Sequence, residues 1–181
     1  MVNILSDKRS AVIKKWRDVI VDTYPSDTQR FIRKEKDQFA NPVGNIILKD
    51  IETLYDELIK DGDNDKITSC LENIIRIRSV QDFRPSQAIG FILHLKRLIR
   101  EVLGPKTLSN GFSGESQALE NRIDDIALLA FDIYSQCRQK IFEIRVSEVQ
   151  SQVSGLLRRA NINIRDPEQT PDFETEVESD N

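Results

Sequence analysis

The sequence contains few of the residue types on which most catalytic and metal sites depend. Its 181 residues include one histidine, two cysteines and one tryptophan. The HExxH, GxSxG and P-loop motifs of metalloproteases, serine hydrolases and nucleotide-binding proteins do not occur. Cys70 and Cys137 form no CxxC pair, which is typical of two reduced thiols. We therefore expect a protein that is not an enzyme and that carries no metal or other cofactor.

Turn-forming residues are also scarce, since the sequence has only seven glycines and six prolines. An all-β protein needs more of them, so the composition favours an all-α fold. No apolar run approaches the roughly 18 residues that span a bilayer. The apolar start, residues 2–5, is too short to be the core of a signal peptide. These absences predict a cytoplasmic protein without membrane insertion.

The charges are distributed unevenly along the chain. Acidic residues outnumber basic ones by 30 to 26, and residues 165–181 hold seven of the acids with one base and two prolines. We expect a folded domain over residues 1–160 and an acidic, disordered tail over residues 161–181. In the domain, lysine and arginine alternate with acids and lack the interleaved aromatic residues that stack on bases, so no nucleic-acid partner is expected.

Apolar residues recur at helical spacing over most of the chain. We predict a first helix over 3–24 that ends at Pro25, and a short second helix that carries Phe31 and Ile32. Asn41-Pro42 is the clearest helix start, because asparagine can cap and proline suits the first helical position. Further helices are predicted over 64–79 and 85–103, the latter ending at Gly104-Pro105, followed by a loop over 105–114. Gly90 within the fifth helix suggests close approach by another helix.

The last predicted helix is very long, covering about residues 115–160 with a single late glycine. Its middle is apolar on two sides, and one domain of this size covers only one side with its own core. We therefore predict a homodimer whose interface contains Ile126, Ile133, Ile141, Phe142 and Val149. The alternative is a helix that breaks near Arg145 and folds back on its own core.

Four acidic residues follow the ligand count of a calcium-binding EF-hand loop. Asp61, Asp63, Asp65 and Glu72 occupy positions one, three, five and twelve. Lys66 stands where the loop normally has glycine. Lysine makes the sharp turn less easily, and its positive charge repels a bound cation. Helix-capping carboxylates in a polar turn explain the same residues, and we favour this explanation.

Two further candidates concern bound ligands. His94 is the one histidine available as a haem ligand, although a structural or surface role is the more ordinary interpretation. Arg76, Arg78 and Arg84 lie close in sequence and could form an anion pocket, whereas an ion pair with Asp82 is the simpler alternative.

Several of these landmarks together resemble one known family. The segments Asn41-Pro42-Val43-Gly44 and residues 74–88, IIRIRSVQDFRPSQA, are similar to the RsbRD-type N-terminal domain of RsbT co-antagonist proteins. The resemblance covers about residues 10–145. It implies a globin-like helical bundle without haem, and His94 lies one helix later than a globin's proximal histidine. It also implies dimerisation through the final helices and a sensory role in bacterial stress signalling.

Two hypotheses about function follow from the resemblance and from the residues. In the full-length family the last helix leads into a STAS output domain, whereas here only the acidic tail follows. We therefore expect a regulatory module that binds an unidentified regulatory protein instead of carrying a fused output domain. The second hypothesis is a sensor that binds haem, an anion or a small apolar molecule in the helix core.

Overall fold

A computed structural model describes residues 1–34, 40–60, 62–81, 83–109 and 113–160 of the chain. Regular structure in these ranges is helical, so the all-α prediction is confirmed. The seven helices are α1 (Val2–Asp7), α2 (Arg9–Val21), α3 (Ser26–Lys34), α4 (Pro42–Ile59), α5 (Asn64–Val80), α6 (Pro85–Ser109) and α7 (Ser113–Arg159). The very long last helix is also confirmed. The predicted acidic tail, residues 161–181, lies outside the described residues.

The predicted first helix is two helices in the structure, with a break at Lys8. The backbone of Lys8 has φ −92° and ψ 4°, outside the helical range. At this break the Tyr55 hydroxyl, from α4, donates a hydrogen bond to the Leu5 carbonyl at 3.0 Å. Leu5 is fully buried. The break is therefore accompanied by a tertiary contact, which a local sequence pattern does not reveal.

The start of α4 is built by Asn41, Pro42 and Gly44. The Asn41 side-chain oxygen accepts a hydrogen bond from the Gly44 backbone nitrogen at 2.9 Å, and Pro42 occupies the first turn. A β-carbon at position 44 would lie only 2.3 Å from the Asn41 amide nitrogen. Glycine is thus required here because the capping side chain folds back against the helix. The predicted helix start is confirmed.

Two glycines of α6, Gly90 and Gly104, were predicted to have structural roles, and the structure supports the role of Gly104. Gly104 has φ +70° and interrupts the helical geometry, as the Gly104-Pro105 signal predicts. The prediction of a loop directly after Gly104 is partly wrong, because the chain is helical again up to Ser109. Gly90 was expected to admit a neighbouring helix, yet no atom lies within 4 Å of a β-carbon built there. That expectation is wrong for the single chain.

The core forms where α2, α4, α5 and α6 pack with one face of α7. Trp16 of α2 is fully buried, and its indole nitrogen donates to the Phe91 carbonyl of α6 at 2.7 Å. α6 and α7 run antiparallel, since Lys96 pairs with Asp124 and Arg100 pairs with Glu120. These pairs lie at the edge of the core, so they fix the register of α7 against α6.

The chain divides into two compact units, Met1–Ile141 and Phe142–Asn181. The first unit contains the core. The second unit is described through residue 160 and consists of the last part of α7. α7 passes Arg145 as one helix, in contrast to the alternative of a break there. None of the described helices combines the length and apolar character that a bilayer crossing requires.

Candidate functional site

The second unit exposes a regular row of apolar side chains. The members of this row, which we call the heptad stripe, are Phe142, Val146, Val149, Val153 and Leu156. All five are exposed, including Phe142 at 62% and Leu156 at 64%. The intervals of four, three, four and three residues are those of a coiled-coil seam. Isolated exposed apolar residues are ordinary, whereas a contiguous row marks an interaction surface.

The residue types in the heptad stripe suit a particular coiled-coil arrangement. Val146 and Val153 take the a positions, while Phe142, Val149 and Leu156 take the d positions. β-Branched residues at a and leucine at d favour a parallel pair of helices, and here both a positions are valine while one d position, Leu156, is leucine. Ile144 is exposed as well but lies on the opposite side of the helix, at an f position. The stripe therefore fits another helix of the same pattern, and its apolar groups offer no acid, base or nucleophile.

The five predicted interface residues fall in different environments. Ile126 and Ile133 are 6% and 8% exposed, because the core of their own chain covers them. Ile141 is half-buried, and Phe142 and Val149 are exposed. Side chains of the first unit already cover Ile126 and Ile133, so these two residues do not require a partner to bury them.

Three further exposed positions of α7 belong to the same row as Phe142 and Val149. Val146, Val153 and Leu156 complete the heptad stripe, and the same helical spacing indicates them in the sequence. Leu128 and Phe131 of the first unit are also exposed. Both apolar faces of α7 follow helical periodicity, so spacing alone does not show which face the chain's own core covers.

The acidic residues of the EF-hand-like count do not converge in the structure. The Asp63 carboxylate caps α5 by accepting from the Asp65 backbone nitrogen at 2.9 Å. Glu72 lies two turns along α5 and pairs with Arg76 at 3.2 Å. Asp61 lies outside the described residues. Across the part of the chain that the structure describes, no three histidine, cysteine or acidic side chains gather as a metal site. Helix capping accounts for Asp63.

The candidate haem ligand and the two cysteines differ in how far they are exposed. His94 is exposed on α6, so its imidazole is not enclosed by the helical core. Cys70 is buried and Cys137 is half-buried, and both are free thiols. Burial, together with the negative charges of Asp50 and Glu57, raises the pKa of Cys70 to about 11. A thiol with a raised pKa is a weak nucleophile at neutral pH.

The arginine cluster separates into one buried and two exposed residues. Arg76 and Arg84 are exposed, whereas Arg78 is fully buried. The Arg78 guanidinium donates to the Ala88 and Gln87 carbonyls of α6 at 3.0 and 2.9 Å. It also donates to the Thr23 hydroxyl at 2.9 Å. The predicted three-arginine pocket is therefore not assembled, and the alternative partner, Asp82, lies outside the described residues.

Aromatic rings enclose the buried guanidinium. The centroids of the Phe83, Tyr24 and Phe91 rings lie 4.2, 5.4 and 5.6 Å from the central guanidinium carbon. Burial lowers the pKa of Arg78, and the rings offset part of the lost solvation through cation–π attraction. We call Tyr24, Arg78, Phe83 and Phe91 the Arg78 cluster. It joins the segment after α2, the end of α5 and the start of α6.

An apolar cleft of about 300 Å³ lies within the first unit, between α1, the end of α4 and the start of α7. Leu5, Leu58 and Leu119 contribute to its wall, with Glu115 and Arg122 as its charged members. Arg122 donates to the Leu58 and Gly62 carbonyls, so it also satisfies the C-terminal end of α4. The cleft has the size of a small apolar molecule.

Comparison with known protein families identifies the family of this chain. The family described as the RsbT co-antagonist protein rsbRD N-terminal domain matches residues 10–149. This chain belongs to that family. The match includes the Asn41 cap, the Arg78 cluster and the heptad stripe as far as Val149. No curated protein and no solved structure matches the chain.

Membership in the RsbRD N-terminal family gives the chain a regulatory character. The family is one of regulatory co-antagonist domains of stress signalling and is not a known enzyme family. The two segments that carry the resemblance have structural explanations in this chain. Asn41 and Gly44 form a helix cap, and Arg78 lies at the junction of three helices.

Proposed function

We propose that this chain is a non-catalytic sensory and regulatory module of bacterial stress signalling that acts as a homodimer through the end of α7. The main observation in support of this proposal is the heptad stripe, five exposed apolar residues at four–three spacing. Family membership supports the regulatory role, because co-antagonist domains act on other proteins. A globin-like arrangement without haem and a cytoplasmic location fit the same role.

A second copy of the chain is the occupant that suits the stripe best. A parallel pair brings Val146 opposite Val146 and Val153 opposite Val153, so each residue meets its own equivalent. A second copy of the chain carries the same heptad spacing, so no different protein has to match it. Burial of five apolar side chains on each helix supplies a favourable free energy of association through the hydrophobic effect.

The regulatory partner is a further protein that binds the dimer. A paired α7 provides a rigid element whose register or separation can differ between signalling states. The domain then influences a bound partner without chemistry of its own. This function requires neither a metal nor a prosthetic group.

The dimer is tested by changing a seam position without touching the core. Val149→Glu places a charge at a d position, so we expect a folded monomer by multi-angle light scattering, with unchanged helicity by circular dichroism. Ser151→Glu, two residues away at an f position, is the matched control and should remain dimeric. A V149E protein that stays dimeric would show that the stripe is not the interface.

The alternative function is a ligand-binding sensor. The observation that favours it is the apolar cleft of about 300 Å³ beside Leu58 and Leu119. Native mass spectrometry of the purified protein should then reveal a co-purified small molecule. Leu58→Trp would fill the cleft and displace that molecule, whereas the exposed substitution Leu128→Trp would not. A Soret band after haem addition would identify haem as the ligand instead.

A further inference from the structure

A second group of exposed apolar side chains lies in the first unit, on the outer side of α6 and α7. It consists of Leu93 on α6 and of Leu128 and Phe131 on α7, and we call these residues the α6–α7 patch. All three are exposed, Leu128 at 66%. Single exposed apolar residues need no explanation, whereas a group of neighbouring ones marks an interaction surface.

An ion pair between the two helices shows that the members of the patch are neighbours. α6 and α7 run antiparallel, and Lys96 pairs with Asp124 at 2.5 Å. Leu93 precedes Lys96 by three residues, and Leu128 follows Asp124 by four. Because the helices are antiparallel, both leucines lie one turn from the ion pair in the same direction. Phe131 follows Leu128 by three residues, so the patch continues for one further turn of α7.

The exposed charges beside the patch differ in sign between the two helices. Arg97 on α6 lies 3.8 Å from Glu101, which also pairs with Lys15 at 3.0 Å. These three groups together carry one positive charge. On α7 the exposed charges beside the patch are the acids Asp125 and Asp132. A surface with one basic edge and one acidic edge is complementary to a second copy of itself.

We propose that the α6–α7 patch is a second contact between the two copies of the chain, a contact that rests on the homodimer proposed above. The heptad stripe spans about two heptads, from Phe142 to Leu156, whereas coiled coils usually sustain three or four. A dimer that pairs through the stripe therefore needs further contact area. The patch of a second copy supplies this area in the first unit.

A two-fold axis parallel to α6 and α7 brings opposite edges of the patch together. Rotation about this axis sets α6 of one copy against α7 of the other, and every residue keeps its height along the axis. Leu93 of one copy then meets Leu128 of the other, because the two leucines are level within the single chain. Arg97, one turn after Leu93, likewise meets Asp125, one turn before Leu128. The apolar groups are thus covered at the centre, and opposite charges pair at the rim.

An axis that runs across the helices gives a less favourable pair. It sets α6 against α6 and α7 against α7, so Arg97 of one copy approaches Arg97 of the other and the acids of α7 approach one another. Like charges at an interface oppose association. The charges of the two edges therefore favour the axis parallel to the helices.

Sedimentation velocity of the full chain tests the patch through the dissociation constant of the dimer. Leu128→Glu replaces a covered leucine by a charge and should raise the Kd at least about tenfold. Ile46→Glu changes an exposed isoleucine of α4, which is not part of the patch, and is the matched control with an unchanged Kd. Both positions are exposed, so both variants should keep the wild-type helicity by circular dichroism. An L128E dimer as tight as the wild type would overturn the proposal.

The stripe variant Val149→Glu separates this contact from the heptad stripe. A weakened L128E together with a V149E protein that remains dimeric would keep the patch as an interface and remove the stripe. A monomeric V149E together with an unchanged L128E would keep the stripe and remove the patch. Weakening by both substitutions is the result expected when the two contacts act in one dimer.

Mixing two charge variants tests which helices face each other. Arg97→Asp and Asp125→Arg each place like charges at the rim of their own dimer, so each should raise the Kd by about two- to tenfold. When the two proteins are mixed, both rim pairs of the mixed dimer have opposite charges. Native mass spectrometry should therefore show more mixed dimer than random exchange produces. Random exchange would overturn the pairing of Arg97 with Asp125.

The control for this experiment is R97D mixed with the wild-type chain. In the proposed arrangement one rim pair of the mixed dimer is attractive and the other repulsive, so the mixed dimer should form at the random proportion. If α6 instead faces α6, Arg97 of the wild type meets the substituted residue of the variant directly, and the mixed dimer is preferred. Such a preference would overturn the proposed arrangement of the two copies.

Discussion

The central carbon of the Arg78 guanidinium lies 4.2 Å from the centroid of the Phe83 ring, and both residues lie in the range that matches the family, residues 10–149. Phe83 covers a cation that also binds two carbonyls of α6 and the Thr23 hydroxyl. A planar guanidinium can stack and bond in its own plane at the same time, which an ammonium cannot do. The residue type at position 78 is therefore set by geometry as well as by charge.

Replacement of Arg78 by lysine should destabilise the protein although the charge is kept. Lysine loses the planar stacking and at least one hydrogen bond, so we expect the free energy of unfolding to fall by about 2–3 kcal/mol. Urea denaturation measures this change. Arg76→Lys is the matched control on the exposed side of α5 and should change the free energy by less than about 0.5 kcal/mol. Equal effects at the two positions would contradict the role assigned to Arg78.

Helix ends were predicted well because their signals are local. Asn41-Pro42 begins α4 through a cap and a fixed φ, both of which depend on residues within one turn. Gly104 interrupts α6 because its backbone takes φ +70°, which other residues rarely adopt. The break at Lys8 has no such local marker. It accompanies a contact with Tyr55, nearly fifty residues away.

The environment of the candidate residues depended on tertiary packing and was harder to predict. Ile133 and Val149 look equivalent in an apolar helix, yet the core of the first unit covers Ile133 and leaves Val149 exposed. Arg78 resembles its exposed neighbour Arg76 in sequence, and only the assembled helices show that it is buried. Periodicity identifies apolar faces, while the three-dimensional fold decides which of them remain uncovered.

The cap of α4 should contribute measurably to stability. Asn41→Ala removes the hydrogen bond to the Gly44 backbone nitrogen, so we expect a loss of about 1 kcal/mol in the free energy of unfolding. Asn41→Asp keeps the accepting oxygen and should lose much less. Chemical denaturation of the three proteins in parallel provides the measurement. A large loss in N41D as well would indicate that the amide nitrogen, not the cap, is what matters.

Two glycines of α6 should respond in opposite directions to alanine. A β-carbon meets no atom within 4 Å at either Gly90 or Gly104, so steric contact does not distinguish them. Gly104 has φ +70°, and alanine there should cost about 1–3 kcal/mol. Gly90→Ala should instead stabilise the helix by about 0.5–1 kcal/mol. Melting temperatures of the two variants test the difference, and a destabilised G90A would reveal a contact outside the single chain.

Stability should decrease in alkaline solution because buried groups, Tyr55 and Cys70 among them, resist losing their protons. Burial raises the pKa of Tyr55 to about 12 and of Cys70 to about 11, from ordinary values of 10.0 and 9.0. As the pH rises through 9 to 11, the unfolded chain releases the Cys70 proton while the folded chain retains it, so unfolding becomes more favourable. Tyr55 extends the same effect from pH 10 to 12. The free energy of unfolding should therefore be constant with respect to these groups below pH 9 and fall above it.

Urea denaturation at intervals between pH 7 and pH 10.5 measures this decline. Cys70→Ala removes one of these titrating groups, so the variant should lose less stability than the wild type between pH 9 and pH 10.5. Ile67→Val is a nearby core change without a titrating group and should keep the wild-type slope. Each proton retained only by the folded state steepens the slope by up to about 1.4 kcal/mol per pH unit. A C70A slope equal to that of the wild type would show that the Cys70 thiol ionises as readily in the folded chain as in the unfolded one.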